Sequence, residues 1–252
     1  MKSLLTVLAV VGFVATGAYG VAGQDSTTWE GSYEADVVPE NDGWTIPYPT
    51  SDPPNGSVSG GIFSFSDHNG KDWAGYRNDG DLTPDRAKGF SYEIRAKTDV
   101  APADKIFYNT YASGNATFQF RNDASLGAFA RFDIGTVSGD ANNLYYFTDT
   151  TEYHTYRITV TALDGPTANW IAADLYVDDN PIPVDQATNN AAGGWAPWGK
   201  SKMDIFPANS PDGSVTSIDW IRWTAEGAFA VPEPASLLIL TGGLLALARR
   251  RK

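Results

Sequence analysis

The chain of 252 residues has no cysteine, two methionines and two histidines. Without cysteine, it has no disulfide, no zinc site built on thiolates and no thiol nucleophile. Basic residues are also scarce, because 18 Lys and Arg stand against 30 Asp and Glu, giving a formal charge of −12 at pH 7. Binding to phosphates requires clustered Lys and Arg, so this balance argues against a nucleic-acid-binding protein.

Apolar residues are plentiful, at 42% hydrophobic and 13% aromatic, so the bulk of the chain is not disordered. Between two unusual ends lies a body of about 200 residues, a size that fits one large all-β domain. We find no internal repeat and no long linker. The stretch 47–61, rich in Pro, Ser and Gly, is predicted to be a surface loop.

The N-terminus has the three parts of a secretory signal peptide. Lys2 precedes a mostly apolar run at residues 4–14, and small residues follow up to residue 23. This run is short of the roughly 20 apolar residues that span a bilayer. We therefore predict a signal peptide at 1–23, cleaved after Gly20 or Gly23.

The C-terminus combines a Pro-Glu-Pro stop at 232–234, an apolar stretch at 235–248 and four consecutive cations at 249–252. As a helix, the apolar stretch would be about 21 Å long, which is short for a permanent span. The cations should remain cytoplasmic, leaving the rest of the chain outside. Such a short transmembrane segment suits an anchor that is held only until it is processed.

These elements, in this order, resemble the PEP-CTERM sorting signal of Gram-negative bacteria. The resemblance implies an exosortase, a membrane transpeptidase-like enzyme that cuts near the motif, and a bacterium that makes an exopolysaccharide matrix. It also implies transient insertion in the inner membrane and a final place outside the cell or in the cell envelope. An ordinary membrane tail is the alternative. The motif residues are Pro232, Glu233, Pro234, Arg249, Arg250 and Arg251.

The predicted domains are thus 1–23 (signal peptide), 24–230 (body) and 231–252 (sorting signal). Without the two ends, the body has 13 bases against 29 acids, a formal charge of about −16. Such a charge keeps a secreted domain soluble and repels anionic polymers unless Ca²⁺ bridges them.

Alternation with period two dominates the body and predicts half-buried strands. The clearest case puts Phe90, Tyr92, Ile94 and Ala96 on one face and Ser91, Glu93, Arg95 and Lys97 on the other. Further strands are predicted near 61–66, 106–111, 117–121, 128–134, 144–148, 154–160, 171–177, 203–206 and 215–224. Ten to thirteen strands without a helix in the body indicate an all-β, two-sheet antiparallel sandwich. A closed barrel is the alternative.

The centre of the body resembles concanavalin A-like jelly rolls, and within them laminin-G-like domains. The likeness lies in residues 152–160, a turn at Asp164-Gly165, Trp170 and the stretch 175–179; residues 217–224 resemble the last strand of such folds. Asn180 departs from the glycine usual near that turn, but Asn also tolerates positive φ. The resemblance implies packing of two core strands and leaves function to the site.

Catalysis finds little support in the sequence. Glycosidases of this fold type need carboxylates spaced as E-x-D-x-E. In the nearest match, Glu34, Asp36 and Glu40, the second Glu lies too far along and follows Pro39. His154 lies on the core-facing side of a strand, where a hydrogen-bonded core residue is a better interpretation than a catalyst. We therefore expect a protein that is not an enzyme, and rank a polysaccharide-cleaving enzyme below the alternatives.

Two turns are rich in the oxygen ligands that Ca²⁺ prefers, one with Asp178, Asp179 and Asn180 and the other at 140–143. Neither has the spacing of a calcium-binding loop. We favour turn-forming residues without a metal and expect no cofactor.

Trp195 and Trp198 lie in a stretch with Gly and Pro, just after Asn189 and Asn190. Exposed indoles stack on sugar rings, and neighbouring amides orient hydroxyls. Trp44 and Trp73 are weaker candidates of the same kind. The sequence thus predicts a carbohydrate- or matrix-binding jelly roll, with exopolysaccharide or another glycan as partner. The alternative is a structural or adhesive matrix protein in which these aromatics pack internally.

Protein recovered from outside the cell should lack the residues beyond the Pro-Glu-Pro motif, because the resemblance implies cleavage there. Intact-mass spectrometry of the secreted protein measures this. Replacing Glu233→Ala and Pro234→Ala together should leave the tail attached and keep the protein with the membrane. An intact tail on the unmodified secreted protein would contradict the interpretation.

Overall fold

The structure is a computed structural model, and it describes residues 29–46, 55–66, 75–79, 88–99, 107–111, 116–123, 125, 127–134, 143–162, 170–190, 203–207 and 215–228. All of them belong to one compact unit, Ser26–Val231. The predicted signal peptide and sorting tail, with its short helix, lie outside the described residues. Within these ranges, no helix has the length and apolar character needed to cross a bilayer.

The described ranges contain fourteen strands and one short 3₁₀ helix, Pro39–Asp42. The first seven strands are β1 (Gly31–Tyr33), β2 (Asn55–Ser59), β3 (Ile62–Ser66), β4 (Tyr76–Asn78), β5 (Phe90–Thr98), β6 (Phe107–Tyr111) and β7 (Ala116–Asp123). The others are β8 (Gly127–Ile134), β9 (Asn143–Phe147), β10 (His154–Ala162), β11 (Trp170–Val177), β12 (Asp185–Asn190), β13 (Met203–Pro207) and β14 (Val215–Thr224).

These strands form two antiparallel sheets. The large sheet has the order β12-β11-β10-β5-β14-β3-β2, with β1 pairing on β14, and the small sheet has the order β4-β13-β6-β7-β8-β9. The predicted two-sheet sandwich is therefore confirmed. One local prediction is wrong, because residues 55–59 of the predicted loop form β2, which pairs with β3. Small residues such as Gly56 and Ser57 hide this edge strand from a pattern based on apolar alternation.

Aromatic side chains from the two sheets meet in the core. The ring of Phe118 on β7 lies 4.9 Å from that of Tyr156 on β10, and Phe132 on β8 lies 5.9 Å from Tyr92 on β5. All four side chains are buried. Each comes from the apolar side of an alternating strand, so the period-two pattern places them between the sheets.

The opposite side of β5 differs from the prediction, because Ser91 and Glu93 are buried instead of facing solvent. Glu93 accepts a 2.5 Å hydrogen bond from the Arg157 guanidinium, and the Trp29 ring lies 5.2 Å from that guanidinium. The Ser91 hydroxyl donates to the carbonyl of Gly227. Residues from both ends of the body thus contact this face, which alternation within a single strand does not reveal.

Burial raises the pKa of the Glu93 carboxyl from 4.5 to about 7, because desolvation outweighs the lowering effect of Arg157. The folded protein therefore holds this proton more tightly than the unfolded chain does. It follows that the contribution of Glu93 to the free energy of unfolding decreases as pH rises from about 4.5 to about 7.

Comparison with Glu93→Gln isolates this effect, since Gln cannot titrate. The quantity to follow is the difference in the free energy of unfolding between the unmodified protein and Glu93→Gln (unmodified minus variant). This difference should fall by at most about 3 kcal/mol as pH rises from 4.5 to 7. Urea unfolding at a series of pH values measures the difference. Glu226→Gln, at an exposed ion pair with Lys88, is the control, and loss of this surface pair should change the free energy of unfolding by at most about 1 kcal/mol. A Glu93 difference that rises with pH would contradict the assignment.

Candidate functional site

Six side-chain positions form a compact array on the outer surface of the small sheet. One row across the sheet pairs Gln119 with Arg131 and Arg131 with Tyr145, and the next row pairs Arg121 with Phe129 and Phe129 with Phe147. These positions alternate with core residues such as Phe118, Phe132 and Leu144, so they lie on the other side of the sheet, where Gln119 and Phe129 are also buried. We call this array the aromatic face: Gln119, Arg121, Phe129, Arg131, Tyr145 and Phe147.

The three rings of the aromatic face support one another. The Tyr145 and Phe147 rings are nearly parallel, at 11° with centroids 6.4 Å apart. Phe129 lies 5.7 Å from Tyr145 and 5.3 Å from Phe147. Phe129 is buried while Phe147 is 53% exposed, so Phe129 acts as a base on which an exposed ring rests. The Arg131 guanidinium lies 5.7 Å from the Tyr145 ring centroid.

The strand that carries Tyr145 and Phe147 is held in place by the other sheet. Strand β9 is the last strand of the small sheet and contacts β12, the last strand of the large sheet. The Tyr145 backbone N–H donates to Asp185 Oδ2 at 2.8 Å. This bond satisfies a backbone donor on an edge strand and fixes the position of the aromatic face relative to the sandwich.

Next to Phe147, the chain turns towards a hydrogen-bonded relay of three side chains. Thr148 Oγ1 lies 3.0 Å from His154 Nε2, and His154 Nδ1 lies 2.6 Å from Asp178 Oδ2. Burial raises the pKa of the adjacent Tyr156 hydroxyl beyond its usual range, and the Asp178 carboxylate adds to that shift. The relay joins the end of β9 to the start of β10 and the end of β11. The sequence predicts a hydrogen-bonded His154 but gives no sign of its two partners.

Asp178 and Asp179 shape the turn that follows β11. Both adopt left-handed backbone conformations, with φ of 52° and 57°. Asp178 Oδ1 accepts a hydrogen bond from the Thr155 N–H at 3.0 Å, and Asn180 Oδ1 accepts one from the Ile182 N–H at 3.0 Å. These bonds account for the oxygen-rich turn without a metal. In the part of the chain that the structure describes, no group of three or more His, Asp or Glu could hold a metal ion.

The residues predicted for glycan binding are only partly within the described ranges. Asn189 and Asn190 form the end of β12, opposite Ile171 and Trp170 of β11. Trp73, Trp195 and Trp198 lie outside the described residues. The prediction that Trp44 is an exposed stacking residue is wrong, because its side chain is buried in the core.

The acidic triplet near the N-terminus, Glu34, Asp36 and Glu40, does not form a catalytic arrangement on one strand. Glu34 follows β1 and accepts two hydrogen bonds from Arg222, at 2.9 and 3.0 Å, while Glu40 lies in the 3₁₀ helix. The hydrogen bonds from Arg222 lower the pKa of the Glu34 carboxyl. These carboxylates do not share one strand face, so they cannot act as the glycosidase arrangement requires.

Asp178→Ala should destabilise the protein by about 1–3 kcal/mol more than Asp179→Ala. Both residues are left-handed, so the backbone cost of alanine is shared, and the difference reports the Asp178 hydrogen bonds to His154 and Thr155. Denaturant unfolding of the two variants measures it. Equal losses of stability would show that the relay contributes nothing.

Comparison with known proteins identifies the tail and supports the fold. Residues 230–252 match the PEP-CTERM protein-sorting motif, and no curated protein matches the chain. An endo-acting O-glycanase of the human gut microbiota that initiates mucin breakdown has a similar structure, with a TM-score of 0.51 and 11% identity over 78% of this chain and 99% of that chain. The receptor-binding domain of botulinum neurotoxin type G gives a TM-score of 0.50 and 9% identity over 79% of this chain and 48% of that chain.

At these identities, the structural likeness shows the fold alone, which is the β-sandwich expected of a jelly-roll body. The match at 230–252 confirms the sorting motif recognised in the sequence, and such a motif implies export and processing at the membrane or cell envelope. The chain therefore carries a two-sheet β-sandwich followed in sequence by a PEP-CTERM sorting motif. This motif implies a secreted protein that is sorted by an exosortase.

Proposed function

We propose that this protein binds carbohydrate, without catalysis, in the cell envelope or the exopolysaccharide matrix, and that the aromatic face is its binding surface. The observation that carries the proposal is the nearly parallel pair of Tyr145 and Phe147, with Phe147 more than half exposed. An exposed phenylalanine contributes little to the stability of the sandwich. It is, however, the group that stacks on the apolar face of a sugar ring.

The setting of these rings favours binding. Both are attached to a strand, so little side-chain and backbone freedom is lost when a sugar stacks on them. Arg131 lies in the same row as Tyr145 and carries N–H donors of the kind that hydrogen-bond to sugar hydroxyls.

Export and processing complete the proposal. A signal peptide at 1–23 directs export, the segment 235–248 enters the inner membrane transiently, and cleavage near Pro232-Glu233-Pro234 frees the body at 24–230. Trp195, Trp198, Asn189 and Asn190 remain proposed contributors to glycan binding, in addition to the aromatic face. A structural or adhesive matrix protein is the outcome if no glycan binds.

Phe147→Ala should weaken glycan binding by about tenfold, because loss of a stacked ring removes about 1.4 kcal/mol of binding free energy. Tyr145→Ala should act in the same direction. Affinity electrophoresis in gels containing bacterial exopolysaccharide, supported by a glycan array, measures the effect.

Val37→Ala, at another exposed apolar side chain, is the matched control and should bind like the unmodified protein. Thermal unfolding of all variants tests whether each one folds. Binding that is unchanged in both Phe147→Ala and Tyr145→Ala would show that the aromatic face is not the binding surface.

A further inference from the structure

The body ends in a short stretch, residues 224–228, that we call the exit segment because the sorting motif follows it in the sequence. The Thr224 hydroxyl donates a hydrogen bond to Glu30 Oε2 at 2.9 Å, and the Ala225 N–H donates to the same oxygen. The Glu226 N–H donates to the Thr224 hydroxyl oxygen at 3.0 Å. One carboxylate, from a residue near the start of the body, therefore holds the first half of the exit segment.

The rest of the exit segment is held by residues at the start of β5. The Ser91 hydroxyl donates to the Gly227 carbonyl at 2.9 Å, and Gly227 is buried. A methyl group at Gly89 would lie 3.3 Å from the Cβ of Ala228, so Ala228 packs against the chain just before β5. Contacts from two distant parts of the chain therefore fix the exit segment as far as Ala228.

Little sequence lies between the exit segment and the sorting motif. Pro232 is separated from Ala228 by three residues, Phe229, Ala230 and Val231. Three residues span at most about 11 Å when fully extended. Chain ends are usually loose unless contacts hold them. In this protein the ion pair of Lys88 with Glu226 completes a set in which each residue of the exit segment contacts another part of the body.

Anchoring of this kind competes with an enzyme that cuts a peptide chain. A peptide that is bound in extended form is held through its main-chain hydrogen bonds. In the exit segment, the N–H groups of Ala225 and Glu226 and the carbonyl of Gly227 are already used within the body. An enzyme cleft can engage these residues only after their bonds to the body break. Cleavage then proceeds at a rate that is proportional to the population of the opened form.

We propose that the exosortase cuts this protein through a locally opened form, in which residues 224–228 have left the body, and that Glu30 controls the opening. The step breaks one peptide bond near the motif; its acyl group passes to water or to an amine, and the tail leaves with a new amino group. The inference rests on the proposed processing of the tail. It adds what the enzyme requires of its substrate, namely an extended segment that reaches into the end of the body.

The test compares Glu30→Ala with Asp99→Ala. Asp99 Oδ1 accepts the Val215 N–H at 2.8 Å, so each substitution removes a carboxylate that binds a backbone N–H at one end of β14. The full-length proteins are produced in a bacterium that contains the exosortase, and pulse–chase labelling measures the rate of tail loss. Glu30→Ala should be processed about fivefold faster than the unmodified protein, because it favours the opened form. Asp99→Ala should be processed at the unmodified rate.

A second variant relieves the same restriction without touching the exit segment. Inserting Gly-Ser-Gly-Ser between Phe229 and Ala230 adds flexible chain before the motif. It should accelerate processing of the unmodified protein to the rate of Glu30→Ala and should add little to Glu30→Ala itself, since both changes act on one step. Thermal unfolding of the variants separates local opening from a loss of global stability.

Elastase provides a readout without the exosortase, because it cuts after small residues such as those at 225, 228 and 230. In purified full-length protein, Glu30→Ala should lose its tail to elastase about fivefold faster than Asp99→Ala. Equal elastase rates would show that Glu30 does not hold the exit segment, and equal exosortase rates would show that the enzyme does not need this segment. Either result overturns the inference while the proposed processing stands.

Slower exosortase processing of Glu30→Ala would mean that the enzyme recognises the folded end of the body, which also overturns the inference. If the unmodified protein keeps its tail in these cells, the proposed processing itself fails, and the inference fails with it.

Discussion

The aromatic side chains that interdigitate between the two sheets are the interaction on which the rest of this structure depends. Phe118 against Tyr156 and Phe132 against Tyr92 hold the sheets together without any disulfide. Successive side chains of a strand point to opposite faces. When one aromatic side chain points into the core, the residues before and after it therefore lie on the outer surface of the sheet. The core therefore determines which residues form the outer faces of the sandwich.

The outer faces of the two sheets have different chemistry. On the large sheet, Glu93 and Arg157 are buried as a pair, and residues from both ends of the body contact the same face. Burying this pair costs solvation, which the charge of Arg157 and its hydrogen bond offset only in part, so the pKa of Glu93 rises. On the small sheet, the corresponding positions carry rings and arginines, and Phe147 remains exposed.

The sorting motif and the proposed binding surface lie in separate parts of the chain. The sorting motif occupies residues 230–252, whereas the aromatic face is formed by β7, β8 and β9. Neither part needs the other for its chemistry, since one is read by a processing enzyme and the other is a rigid surface. Under the proposed function, the tail decides where the protein is placed and the face decides what it contacts there.

The sequence by itself determined the sorting motif, the all-β class and the inward rows of the core, because each depends on residues that are consecutive or two apart. It also placed Phe129 and Arg131 on the same side of one strand. Only the tertiary structure decided that Tyr145 and Phe147 lie beside them, that Thr148 and Asp178 meet His154, and that Glu93 is buried. These outcomes depend on strand register and on segments far apart in the chain, and alternation within one strand contains no information about its neighbours.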